Sequence, residues 1–124
     1  MKIMIYLSVL AIIVFLYIQN ILFLLVTSNS MQPEIVKSDI IVTCKSEYSQ
    51  NSIVTFRQRD RLVTHRLVDA TSMVTKGDSN VERDPHRIYK DQIVGKVCAV
   101  IPSGKLIKII QATITHLNRE EVIR

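Results

Sequence analysis

The sequence predicts a mostly β protein: a single N-terminal transmembrane helix, then a small antiparallel β catalytic domain, then a short amphipathic C-terminal segment. Three observations predict it. A largely apolar run extends from Ile3 to Val26, short β-branched stretches alternate with turn residues through the middle, and helical spacing of apolar residues appears only near the end. The corresponding organisation is an anchor over 1–26, a β-rich domain over 27–104 and an amphipathic segment over 105–124.

From Ile3 to Val26 the residues are apolar except Ser8, Gln19, Asn20 and the amphipathic Tyr6 and Tyr17. As a continuous helix this stretch would be about 36 Å long, enough to cross a hydrocarbon core of about 30 Å with some tilt. The small residues Val26-Thr27-Ser28 also fit a cleavable secretory signal, but the run exceeds the usual apolar region of such signals, which favours a retained anchor. Gln19 and Asn20 would face either a partner helix or the interface. Lys2 alone precedes the run and lysines also follow it, so charge does not set orientation.

About a hundred residues remain, enough for one small domain. Hydrophobic residues make up 48% of the chain, and much of that share is the N-terminal run, so the remaining core must be modest. The net charge of +5 is scattered without a run of like sign, as expected of lysines solvated near anionic lipid headgroups. Aromatic residues reach only 6% and no nucleic-acid motif is present, so no nucleic-acid partner is expected. Cys44 and Cys98 lack the close spacing of a zinc or redox motif; they are either one disulfide or two buried thiols. No metal and no cofactor is expected.

Strand-like stretches follow in order: 39–44, 52–56, 61–68, 72–76 and 92–101, the last carrying Gly95 as a candidate bulge. Pro102-Ser103-Gly104 closes this region. Beyond it Leu106, Ile109, Ile110, Ile114 and Leu117 recur at helical spacing, predicting a helix on the sheet or on a bilayer surface, with a strand as the alternative.

Three places carry chemistry. Ser30-Met31-Gln32-Pro33 is a turn just beyond the apolar run, and offers Ser30 as a nucleophile. In Arg61–Val68 strict alternation puts Val63, His65 and Leu67 on one face, so His65 is either a core histidine or a general base. Imidazole is the side chain whose charge changes near neutral pH, which suits it to take a hydroxyl proton. Finally, Lys76–Pro85 is a turn-rich loop whose Asp78 and Asp84 could each reach a histidine and hold its ring.

Taken in order, Ser30-Met31-Gln32-Pro33, Thr64-His65-Arg66, Lys76-Gly77-Asp78-Ser79-Asn80, Asp84-Pro85, Gly95-Lys96-Val97 and Ile101-Pro102-Ser103-Gly104 closely resemble the motifs of type I signal peptidases. The resemblance is to the branch with histidine as general base, found in the endoplasmic reticulum, archaea and some Gram-positive bacteria. It implies a membrane-bound serine endopeptidase that removes signal peptides from precursor proteins, its catalytic domain on the extracytoplasmic side. Ser30 would be the nucleophile, His65 the base, and Asp84 the acid, with Asp78 supporting the loop or sharing that role. Ser28 would complete an oxyanion hole with the Ser30 N–H, or else cap the helix exit, and Met31 would line the apolar substrate site. Expected partners are signal-peptide-bearing precursors, membrane lipid and membrane partner subunits. Asn29 and Ser38 stand where many relatives have glycine, and His86 matches no family position. Two other readings compete: a non-catalytic scaffold of the same fold, and a self-cleaving regulator of the serine–lysine type, which would need lysine in place of His65.

Overall fold

In a computed structural model the chain is described over residues 1–123, with side chains described through residue 119. Two helices, α1 (Lys2–Ile18) and α2 (Ser103–Ile123), bracket six strands: β1 (Ile21–Leu25), β2 (Ile40–Cys44), β3 (Ile53–Gln58), β4 (Arg61–Asp69), β5 (Val74–Lys76) and β6 (Ile93–Ile101). The strands form one antiparallel sheet in the order β1-β2-β6-β3-β4-β5.

The expected N-terminal span is not formed. Among the described residues no helix is long and apolar enough to cross a membrane. Helix α1 stops at Ile18, so its 17 residues reach only about 26 Å against a hydrocarbon core of about 30 Å. The cause is local. Asn20 takes a left-handed φ of 54°, a conformation that asparagine tolerates better than most side chains and that commonly ends helices. The following Ile-Leu-Phe-Leu-Leu then satisfies its backbone by pairing with β2, from Ile21 opposite Cys44 to Leu25 opposite Ile40. The single-pass anchor is therefore not supported by this fold. The same pairing makes the end of the apolar run an edge strand of the sheet.

Two small cores hold the sheet. Val54, Phe56, Leu67 and Ile88 form one, with Val63, Met73 and Ile93 packed around them. Met31, Ile35 and Ile41 form the other, against Leu24, Val26 and Val97. The second core fixes the long β1–β2 connection, which is also tied back by hydrogen bonds from Val26 N to Asp39 O and from Ser38 N to Val26 O. Buried Asp39 accepts from Val36 N with one carboxylate oxygen and from Ser103 N with the other, joining this connection to the start of α2. Beyond that point α2 exposes Ile107, Ile109, Ile110, Ile114 and Leu117.

Across the sheet runs a chain of hydroxyls, Thr43 to Thr55 at 3.1 Å and Thr55 to Thr64 at 2.9 Å. Thr43 and Thr55 are on strands separated by β6, and they meet because Gly95 of β6 has no side chain between them. A Cβ at Gly95 would lie 2.5 Å from the Cys44 carbonyl oxygen and 2.8 Å from Thr43 Cγ2. Gly95→Ala is accordingly expected to destabilise the fold by about 3 kcal/mol, the upper range for overpacking, because backbone must move. Urea unfolding, read as a lower midpoint at unchanged slope, checks this. Nearby, Cys44 and Cys98 form a disulfide between β2 and β6, which resolves the two alternatives the sequence left open.

Candidate active site

Ser30 follows β1 in a turn whose next residue, Met31, is buried in the second core together with Ile35. The backbone there is clamped by the loop after β5. Ser79 N donates to the Ser30 carbonyl at 3.0 Å and Ser79 Oγ donates to the Asn29 carbonyl at 2.8 Å. This close approach requires Gly77, because a Cβ there would lie 2.6 Å from the Ser30 carbonyl oxygen. The Gly-Asp-Ser-Asn segment is thus the part that fixes the height of Ser30.

His65 lies in the middle of β4, opposite Val54 of β3. Its ring packs edge-on to Phe56 at 6.5 Å between centroids, and its side chain is 12% exposed. Nε2 is 3.1 Å from Ser30 Oγ, while Nδ1 is 2.6 Å from Asp84 Oδ2. The two ring nitrogens therefore engage a hydroxyl on one side and a carboxylate on the other. That arrangement lets the carboxylate hold the tautomer with its proton on Nδ1, leaving Nε2 to accept from the serine.

Asp84 is positioned twice by one residue of β5. Its N–H donates to the Thr75 carbonyl at 2.8 Å, and Thr75 Oγ1 donates to Asp84 Oδ2 at 2.7 Å. Thr75 is fully buried. Sequence reasoning assigned it no role, since a threonine in a short strand has no distinguishing spacing. Thr75→Val preserves shape and the backbone bond but removes the hydroxyl donor, and should lower the rate of any acyl transfer at Ser30 about tenfold, the worth of one hydrogen bond to a charged group. Thr75→Ser should restore it and return the pH–rate profile to that of the parent. Equal rates for Val and Ser variants would show that the hydroxyl does not position the acid.

The other candidates separate clearly. Asp78 makes no hydrogen bond or ion pair with His65. Both its oxygens pair with Arg66, Nε to Oδ1 and Nη2 to Oδ2, each at 2.8 Å, and Arg66 Nη1 donates to the Asn51 carbonyl. Arg66 follows His65 in the strand and so points to the opposite side of the pleat, drawing Asp78 away from the imidazole. The hydrogen bonds to Asp78 raise the Arg66 pKa above its ordinary value against a lowering by burial. Ser28 is exposed with Oγ 3.3 Å from Ser30 Oγ, beside the nucleophile. Met31 is 3% exposed and forms the floor of the site, its sulfur 3.5 Å from Asp78 N.

A cavity of about 610 Å³ opens over these groups. Leu24, Val26, Ile41 and Leu62 give it apolar walls, and Ser30, His65 and Asp84 lie along it. No group of three or more histidine, cysteine, aspartate or glutamate side chains able to hold a metal occurs among the described residues. A half-buried hydroxyl, an imidazole and a carboxylate in line beside an apolar cleft can carry out acyl transfer through a covalent ester. No protein-family model and no curated protein sequence matches the chain.

Proposed function

We propose that this protein is a serine endopeptidase of the signal-peptidase type, cleaving precursor polypeptides after small side chains. The observation that carries the reading is the hydrogen-bonded line from Ser30 Oγ through His65 to Asp84, at 3.1 and 2.6 Å. The motif order of the sequence supplies the substrate class, and the apolar cleft beside Ser30 suits an extended chain with short side chains near the cut.

In the reaction Ser30 Oγ attacks the scissile carbonyl carbon while His65 Nε2 takes the hydroxyl proton. Asp84 stabilises the imidazolium. The tetrahedral oxyanion accepts hydrogen bonds from the Ser30 N–H and Ser28 Oγ, the latter already at the nucleophile. Collapse breaks the C–N bond, His65 gives its proton to the leaving amine, and an ester on Ser30 remains. Water, deprotonated by His65, then attacks this ester and releases the acid and free Ser30. A base of this kind contributes about 10²–10⁴ in rate.

The test uses the full chain in detergent, which keeps the apolar, exposed α1 dispersed. Secretory precursors and a fluorogenic peptide with alanine at the first and third positions before the cut serve as substrates. The parent should cleave at one bond and Ser30→Ala should not. Unchanged cleavage by Ser30→Ala, or none by the parent across several precursors, would overturn the reading.

A further inference from the structure

We propose that a second cavity of the molecule binds acidic polypeptide, so that the enzyme favours substrates with a cluster of Asp or Glu on one flank of the cut. The inference rests on the peptidase reading above and names the substrate class more narrowly. The cavity measures about 820 Å³ and adjoins the catalytic one, since Gln58 and Arg61 line both. A chain lying over Ser30 and continuing past Arg61 would enter it.

Its lining is strongly basic. Arg59, Arg61 and Arg87 face it together with His86, against a single carboxylate, Asp60. Among the described residues the ion pairs within 4.0 Å are His65–Asp84 and Arg66–Asp78, so none of these three guanidiniums is neutralised by a partner. Guanidinium groups bind carboxylates through paired, charge-assisted hydrogen bonds, which makes acidic side chains their natural ligands.

The segment that carries Arg87 is also held in place before any ligand arrives. Arg87 lies 4.7 Å over the ring of Tyr89, which fixes its fork. The next residue, Ile88, is buried in the first core and donates its N–H to the Met73 carbonyl. Gln92 ties the same segment to β3, donating to the Arg57 carbonyl and accepting from Tyr89 N. Arg59 sits in the two-residue β3–β4 turn with φ of 55°, where glycine or asparagine is the easier choice. Arg87, held in this way, loses less freedom on binding. Of the two exposed rings on this lining, Tyr89 is already covered by Arg87 and only the His86 imidazole is open, too little for a run of stacked bases, which favours peptide over nucleic acid.

Distance sets the register. Arg61 precedes His65 on the same strand, so at about 3.3 Å per residue it lies about 13 Å from the catalytic base. Acidic residues should therefore matter about four to six positions from the scissile bond.

The experiment measures binding to the full-length Ser30→Ala protein in detergent, where nothing is cut. Fluorescein-labelled peptides carry the small-residue cleavage sequence with four glutamates, or four glutamines, four to six positions to either side. Anisotropy should show the glutamate peptide on one side binding about tenfold tighter at low salt, with the difference lost when Arg59→Asn and Arg87→Gln are added or at 0.5 M salt. Charge reversal by Arg87→Glu, which leaves two cations against two carboxylates on this lining, should abolish the preference for the glutamate peptide. Equal affinity for glutamate and glutamine peptides overturns the proposal. So does displacement of the glutamate peptide by inorganic phosphate or an oligothymidine at the same concentration. Failure of the parent to cleave any precursor would sink the peptidase reading, whereas normal cleavage with equal glutamate and glutamine affinities would sink only the acidic site.

Discussion

Ser30→Ala and His65→Ala are each expected to lower kcat for precursor cleavage by about 10⁶, and the double variant should lose little more. On the proposed reading nucleophile and base act through one proton transfer, so either loss would remove the whole covalent route. What remains is binding and oxyanion stabilisation acting on slow direct attack by water. Ser30→Ala should leave the fold within about 1 kcal/mol of the parent, because the half-buried hydroxyl meets only His65 Nε2 and Ser28 Oγ. His65→Ala also removes a ring packed on Phe56, so His65→Gln is the cleaner partner for stability measurements. Single-turnover kinetics on the fluorogenic peptide separate the chemical step from binding. Losses that multiply in the double variant would mean the two side chains do not work as a unit.

The alternation of Arg61–Val68 made His65 readable as an inward-facing imidazole, because a pleated strand sends every second side chain to one side. That pattern depends only on local geometry, and β4 does send Val63 and Leu67 into one core, although burial along the strand does not alternate and its pairing with β5 shifts register between Leu67 and Asp69. The end of the N-terminal run was not readable in the same way. Hydropathy alone treats Ile21–Leu25 as a continuation of the helix, yet those five residues find a better partner in β2, a contact nearly twenty residues away. Asn20 is the local sign of the break, but a polar residue late in an apolar run equally fits a contact with a partner helix or the interface. Choosing between Asp78 and Asp84 likewise needed three dimensions. Both lie in one loop, and what divides them is Arg66 on one side of the strand and Thr75 in the next. Thr75 itself, and the basic cavity assembled from the β3–β4 turn and residues 86–92, exist only once distant segments pack.

Asp84→Asn and Asp78→Asn should therefore fail in different ways. At Asp84 an amide nitrogen in place of Oδ2 would donate to His65 Nδ1 and hold the ring with its proton on Nε2. That tautomer cannot accept from Ser30, and kcat should fall by about 10⁴ with KM little changed. The fold keeps the Asp84 N to Thr75 O bond and should lose about 1 kcal/mol. At Asp78 the substitution breaks a paired contact with Arg66, whose third nitrogen still holds the Asn51 carbonyl. The guanidinium is about a quarter exposed, so solvent screens part of the loss, and a destabilisation of about 1–2 kcal/mol is expected. Because this loop also clamps Ser30 through Ser79, kcat per folded molecule should drop about tenfold, far less than at Asp84. Active-site titration combined with urea unfolding reads both quantities on the same preparations. A loss near 10⁴ at Asp78, with Asp84→Asn close to the parent, would exchange the two roles and remove Asp84 from the reaction.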